Sequence, residues 1–474
     1  MEQLDKKVLS VRQLLTIKHL AIPAYQRPYR WGSKNIADLF ADLGSHHNKT
    51  AYRLGSVVFH LRNEGREKWL DIVDGQQRTL TLMLAVKALI EAKLPVITRQ
   101  DLVNQLTELK PSLDAFMARQ HFASRDSQVN LRRNYLELLR LVERTGFSED
   151  LIDFMLNRCE VVTFVLDEIS EAFQFFDSQN ARGRDLDPHD LLKAFHLREF
   201  SEDESGLKAQ AVAHWEQLPS KQLAALFADY LFRVRQWAEG KSARFFGKGE
   251  VSLFKGVNLA QIEHFPYVGS LRIAHHFVDD YNNQYQRKID GHRQRFPFQL
   301  DQMIINGRRF FEMAEHYQKQ VAAIITNEHA IGNTQSVTLL NEVLEARASN
   351  ILCTLNRYAR RTRTGDRYIR AMFDCALIFY IDKFATQELS FAIEKCFIWA
   401  YSCRITQQVV QLATVDNYVL NNNLLRAIRD ARHPKDLHAF TLRSLSTKEN
   451  KNNRNGTEDQ DELVKLFREM KYYE

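Results

Sequence analysis

Glycine and proline are scarce in this chain, 18 and 9 in 474 residues. So few chain breakers over that length favour helix over sheet. Cysteine is scarce too. Cys159, Cys353, Cys375, Cys396 and Cys403 are odd in number, and no two have the spacing of a zinc knuckle or redox pair. That argues against a disulfide framework and for reduced, buried thiols. Long apolar runs are missing: residues 371–381 are too few to span a bilayer and are interrupted by Asp374. Residues 1–5, Met-Glu-Gln-Leu-Asp, lack the basic-then-apolar order of a secretory leader. A soluble, cytoplasmic protein is expected. Nor does one sign of charge dominate. Lys and Arg exceed Asp and Glu by 65 to 59, a formal +6 that by itself does not indicate nucleic acid.

What is present is an ordinary globular composition, 45% hydrophobic and 26% charged, enough for two or three domains. Residues 8–17 and 36–43 read as short helices, with an aromatic-rich loop at 22–31 between them. Residues 52–61 and 68–73 are rich in Val, Ile and Phe and read as strands, joined by a polar hairpin at 63–67. A strongly helical pattern follows over 79–92, with Leu80, Leu84, Ala85 and Ala88 at helical spacing. Helices continue over 99–141, and 161–166 reads as a buried strand. Ser170 caps a helix that stops at Asn180-Ala181-Arg182-Gly183, and Asp187-Pro188 opens the next. From 207 to 431 everything reads as helix. Residues 446–460 are polar and read as a flexible linker to a short terminal helix at 461–471. The expected architecture is a small α/β domain over 1–205, a large mainly α-helical domain over 206–445, and the linker and terminal helix over 446–474.

The chemistry concentrates at Asp74-Gly75-Gln76-Gln77-Arg78, read as the turn between a strand and a helix. Unpaired backbone N–H groups at the positive end of a helix form a seat for phosphate. Gly75 lets backbone approach a ligand, and Arg78 can grip phosphate oxygens with two N–H groups. Asp74 can cap the helix, hold a metal or orient a water. A plain capped turn accounts for Asp74 and Gly75 equally well; two glutamines and an arginine in the same turn go beyond it.

Three further segments accompany this one. Ile22-Pro23-Ala24-Tyr25-Gln26-Arg27-Pro28-Tyr29-Arg30-Trp31 comes first, Leu54-Gly55-Ser56-Val57-Val58 second. Phe175-Phe176-Asp177-Ser178-Gln179-Asn180-Ala181-Arg182-Gly183 follows the turn and leads into Asp190-Leu191-Leu192-Lys193. In this order the four resemble the amino-terminal domain of GmrSD-type modification-dependent restriction enzymes, shared by the related SspE and BrxU proteins, over residues 8–200. The resemblance implies a ParB/sulfiredoxin-like fold that hydrolyses a nucleoside triphosphate, with Mg2+ as the expected metal, coupled to recognising and cutting foreign or modified DNA. It also implies roles by position. Asp74, Gln77 and Arg78 are the catalytic candidates. Gly55, Ser56, Gly75, Gln76, Asn180, Arg182 and Lys193 are the nucleotide-binding ones, and Tyr25, Gln26, Arg27, Tyr29 and Trp31 are candidates for sensing DNA.

Many relatives also carry a His-Asn-His nuclease domain, whose chemistry needs a histidine base and a metal-holding partner. The last 150 residues contain only His329, His433 and His438, without such a constellation. The expectation is therefore a regulatory or sensor subunit that works with a partner nuclease or other effector, and that forms homo-oligomers in one version of this reading. A non-catalytic adaptor for modified DNA and a ParB-like metal-dependent nickase stand as alternatives. Arg357, Arg360, Arg361, Arg363, Arg367 and Arg370 form the densest basic cluster. Read as one helix face, the first four are candidates for a DNA backbone contact, and a solvated face explains them as well. His189 and His196, seven apart, read as ordinary surface or core histidines rather than as metal ligands.

Overall fold

Tyr52–Glu64 (β3) and Glu67–Asp74 (β4) pair antiparallel, as the short connection between them requires. They sit in a mixed five-stranded sheet of order β1-β5-β3-β4-β2, where β1 is Asp5–Ser10, β2 is Leu20–Ala21 and β5 is Cys159–Leu166. β5 runs parallel to β3 and antiparallel to β1. The computed structural model describes residues 5–23, 26, 28–64, 67–120, 122, 124–144, 146–167, 187–200, 204–325, 337–452 and 461–474. They belong to two units, one of Met1–Leu186 with Glu204–Leu218, the other of Asp187–Asp203 with Pro219–Glu474.

In the first unit, helices α1 (Val11–Leu15), α2 (Ser33–His46), α3 (Gln76–Ala88), α4 (Gln100–Arg119) and α5 (Arg125–Val142) share one core with the sheet. The stretch 8–17 splits between strand and helix. Ser10 and Gln13 form a reciprocal capping box, Gln13 N donating to Ser10 Oγ and Ser10 N to Gln13 Oε1, so the helix starts only at Val11. α3 is buried on nearly every side, which is why its apolar residues do not form one stripe.

Two bulges shape the middle of the sheet. Between the pairs Arg53↔Glu160 and Ser56↔Val162, β3 advances three residues against two on β5. The extra residue lets Leu54 and Val57, which would face opposite sides of a regular strand, both enter the main core. Gly55 accommodates it at φ 111°. Between Val58↔Asp74 and Phe59↔Ile72, β4 has the extra residue instead. Val73 thereby turns to the other face, to join Val58 and Leu166, and Asp74 ends the strand.

The second unit is built around α9 (Thr364–Phe384) and α10 (Leu389–Thr406), whose central turns are buried all round. The apolar stretch at 371–381 is thus the inner helix of a globular unit, and among the described residues no helix is long and apolar enough to cross a membrane. α6 (Pro188–Arg198), α7 (Arg308–Ile325) and α8 (Ala346–Arg357) also belong to this unit. The expectation of unbroken helix to residue 431 fails over 241–247, 255–265 and 291–307, which are not helical, and again at a small hairpin. Thr338–Leu339 and Glu342–Val343 form a small hairpin whose turn residues, Leu340 and Asn341, have φ of 50° and 69°. Leu-Asn lacks the glycine that usually marks such a turn, so its sequence carries little signal. All five cysteines are unpaired thiols. A buried polar anchor of this unit is Asp416, only 1% exposed, on the helix Leu412–Asn421. It accepts from Trp237 Nε1 (3.0 Å), Ser242 Oγ (2.6 Å), Ala243 N (2.7 Å) and Arg244 Nε (3.1 Å).

Candidate functional site

The strand–helix junction is tighter than the sequence suggests. β4 ends at Asp74, Gly75 caps at φ 87°, and α3 begins at Gln76. Gln76, Gln77 and Arg78 therefore form the first helical turn, where backbone N–H groups lack intrahelical acceptors. A Cβ on Gly75 would lie 2.9 Å from Val57 Cγ2 and 3.0 Å from Ser56 O. Left-handed backbone and close approach both demand glycine here. Gly75→Ala should therefore lower stability by about 1–3 kcal/mol, read as the shift of the urea unfolding midpoint. A midpoint equal to the parent's would mean that the junction relaxes without strain.

Arg78 reaches back across the sheet to the β3 bulge. Its Nη1 is 3.5 Å from Ser56 O, and a Cβ on Gly55 would come within 2.8 Å of the same nitrogen. The guanidinium thus lies on bare backbone. Burial pulls its pKa below the ordinary value, and the charge of Asp74 opposes that shift. Because an arginine ordinarily titrates above about 12, the group stays cationic at neutral pH. Asp74 is part-exposed at the strand end. Gln76 and Thr79 are almost wholly buried, and Gln76 Oε1 and Thr79 Oγ1 make no hydrogen bond among the described residues. Buried polar atoms without a protein partner call for an explanation, and a bound group or water is one.

The Gln26–Trp31 loop is tied to this junction from two sides. Gln26 Nε2 donates to Ile72 O (2.9 Å) and Val73 O (2.5 Å), carbonyls at the β4 bulge. Gln77 Oε1 accepts from Arg30 N (2.8 Å) and Trp31 N (3.2 Å), while its Nε2 donates to Pro28 O (3.2 Å). Three hydrogen bonds commit the Gln77 amide to holding the loop. In this structure the amide of this catalytic candidate bonds the loop. Gln77→Leu orphans two donors and one acceptor and should cost about 2–4 kcal/mol. Hydrogen exchange should show the Arg30 and Trp31 amides losing protection first; unchanged protection would contradict the strut.

Tyr29 is likewise held within the fold. It is 0% exposed, its hydroxyl lies 2.7 Å from Thr81 Oγ1 and accepts from Asn134 Nδ2 at 3.0 Å, so no ring face is left for a base. Its backbone is held by Ser127 Oγ and Asn130 Nδ2, and Asn134 Nδ2 also donates to Trp31 O at 2.7 Å. These three residues of α5 stand about a hundred positions away in the chain and carry no local signal of the role. Gln26 is also buried, and Trp31 is half-buried against the core. Tyr25, Arg27, Asn180 and Arg182 lie outside the described residues.

Lys193 lies on α6 and so folds with the second unit, its side chain 1% exposed. On the same helix His196 donates through Nε2 to Phe254 O (2.9 Å), accepts at Nδ1 from Gly307 N (3.3 Å) and stacks on Phe310 at 3.6 Å. Burial pushes its pKa down to about 3, so it is a neutral core histidine. Asp187, His189 and Asp190 bring ligand atoms within 4.8 Å of one another, and His189 Nε2 lies 3.0 Å from Ser220 Oγ.

The arginine cluster does not form one helix face. α8 ends at Arg357 and α9 begins at Thr364, so Arg360, Arg361 and Arg363 lie in the connection. Arg363 grips Asp366 with Nε (2.7 Å) and Nη2 (3.1 Å), so this candidate for a DNA-backbone contact is held by a carboxylate. Arg360 Nη1 is 3.9 Å from Asp461 Oδ2. Arg357 and Arg361 line a cleft instead.

Compared with known proteins, residues 10–197 match the model of the GmrSD restriction endonuclease, N-terminal domain. Residues 207–457, just over half of the chain, match a family of unknown function (DUF7834). No curated protein matches the chain.

Proposed function

Since the chain belongs through residues 207–457 to the DUF7834 family and carries a GmrSD restriction endonuclease N-terminal domain over 10–197, we propose that it is a nucleotide-hydrolysing sensor or regulatory subunit of a DNA restriction system. Hydrolysis of a nucleoside triphosphate gates either engagement of foreign DNA or a nuclease supplied by a partner chain. The observation that carries this reading is the cradle of Gly55, Gly75 and Arg78. Two glycines with positive φ and one half-buried guanidinium flank the amino end of α3.

Each residue has a task in this reading. The α3 N–H groups and the helix dipole hold phosphate oxygens. Gly75 admits them to the backbone, and Arg78 faces the charge that grows as water attacks phosphorus and the bridging P–O bond breaks. The buried Gln76 acceptor orients a bound hydroxyl or water. Asp74, a part-exposed carboxylate, fits a Mg2+ ion held by one carboxylate together with phosphates. Such an ion, when bound, would neutralise phosphate charge. Gln77, Tyr29 and Asn134 keep the Gln26–Trp31 loop in one conformation.

The test is direct. Purified protein with Mg2+ and each of the four common ribonucleoside triphosphates, with and without DNA, should release diphosphate or pyrophosphate. Absence of turnover with all four, in the presence of plain and modified DNA, sinks this reading and leaves the adaptor.

A further inference from the structure

The second unit has a cleft of about 790 Å3 lined by Arg233, Arg357, Arg361, Arg367 and Arg370, with Asp229 and Asp374 as its carboxylates. Tyr230 and Tyr368 stand half-buried in its wall. We propose that this cleft binds a nucleotide of a single DNA strand, with phosphate on the exposed arginines and the base against a tyrosine ring. It is a site separate from the Asp74 junction, and the inference does not require that junction to bind anything.

The charges divide into floor and rim. Arg233 is buried with its Nη2 3.1 Å from Asp229 Oδ1. Arg370 Nε donates to the buried Asp374 at 2.8 Å, and its Nη1 donates to Asn356 Oδ1 at 2.8 Å. These pairs account for both carboxylates. Arg357, Arg361 and Arg367 are exposed, and the five arginines of the lining outnumber its two carboxylates by three. Among the described residues neither Arg361 nor Arg367 has a carboxylate in ion-pair range; Arg361 points Nη1 at the carbonyls of Arg357 (3.3 Å) and Tyr358 (3.4 Å).

The fold brings these three to one rim. Arg357 is the last residue of α8, Arg361 lies in the connection, and Arg367 is in the first turn of α9. The connection is pinned because Tyr358 Oη (3.1 Å) and Arg363 both bond to the buried Asp366. Guanidinium forks match phosphate oxygens, and an aromatic face accepts any base. A free triphosphate would present the same chemistry in compact form, best met by cations at the floor. Here the floor cations are neutralised and the open ones stand at the rim, where successive phosphodiesters would pass.

The experiment uses the full chain without nucleotide and a fluorescein-labelled single-stranded 20-mer, followed by anisotropy over a salt series. The double variant Arg361→Glu/Arg367→Glu should weaken binding at least about tenfold. It should also flatten the log–log salt dependence by roughly 0.7 per lost phosphate contact. The milder Arg361→Gln/Arg367→Gln should move both quantities the same way by less. Tyr368→Ala should weaken binding about fivefold or more with the salt slope kept. Far-ultraviolet circular dichroism checks that each variant is folded. Equal affinity of the folded charge-reversed protein overturns the proposal. So does preference for the duplex, or displacement of the strand by ATP at concentrations where unlabelled strand fails.

Discussion

Arg78→Ala should lower nucleotide turnover by about 10²–10³-fold while the protein remains folded. Removing one preorganised donor from a site of developing charge typically has this effect, about 3–4 kcal/mol of barrier. Arg78 is well placed for it, since its half-buried guanidinium lies over the backbone at Gly55 and Ser56 with no side chain intervening. Arg78→Lys should recover little, because an ammonium lacks the planar fork. Gly55→Ala provides an independent route to the same result. Its new methyl carbon would be within 2.8 Å of Arg78 Nη1 and, at φ 111°, would strain the bulge, so the guanidinium must shift without being deleted. Steady-state phosphate release, with unfolding midpoints measured alongside, checks both variants. A folded Arg78→Ala protein with the parent's rate would remove Arg78 from the reaction.

Asp416→Ala should be the most destabilising single change named here, at about 3–5 kcal/mol in the second unit's unfolding. The substitution leaves Trp237 Nε1, Ser242 Oγ, Ala243 N and the Arg244 guanidinium facing a space with no acceptor. The same carboxylate makes stability depend on pH. Burial alone would raise its pKa, but the donors from Ala243, Ser242, Trp237 and Arg244 together outweigh burial and hold it below the ordinary value. A depressed folded-state pKa means that the stabilisation is fully present above the unfolded value, about 3.9. It is then lost as pH falls through the lower folded value. Urea unfolding followed from pH 7 down through pH 4 to 2 should show the parent losing part of its advantage over Asp416→Asn in the acid range alone. A constant difference between the two proteins across that range would refute the assignment.

Much of the molecule depends on neighbours in the chain, and that part was legible in the residues themselves. The hairpin at 63–67, the Asp187-Pro188 helix start, the buried strand at 161–166 and the long helices after 207 follow from periodicity, caps and breakers acting within a few residues. The grouping of three motifs around Asp74-Gly75-Gln76-Gln77-Arg78 was legible as co-occurrence, without a physical reason attached. The folded chain supplies that reason for two of them, the third lying outside the described residues: Gln26 bonds the β4 bulge, Gln77 bonds the loop, and Gly55 makes room for Arg78.

The contacts inside that grouping are made only by the tertiary structure. A glutamine's amide can serve a ligand or a loop, and nothing local distinguishes the two. For Gln77 the choice was made by Pro28, Arg30 and Trp31, nearly fifty residues away. Tyr29 became core rather than a stacking surface because Asn134 and Thr81 close over its hydroxyl. The arginines after residue 356 read as one stripe until the break before Thr364 assigned Arg363 to Asp366 and brought Arg361 and Arg367 to a common rim. Hydrogen bonds and charge pairs act through space over a few ångströms, whatever the separation along the chain. Five residues in sequence therefore marked where the junction lies, and the fold decided that the Gln77 amide bonds the loop while Arg78 lies over the β3 bulge.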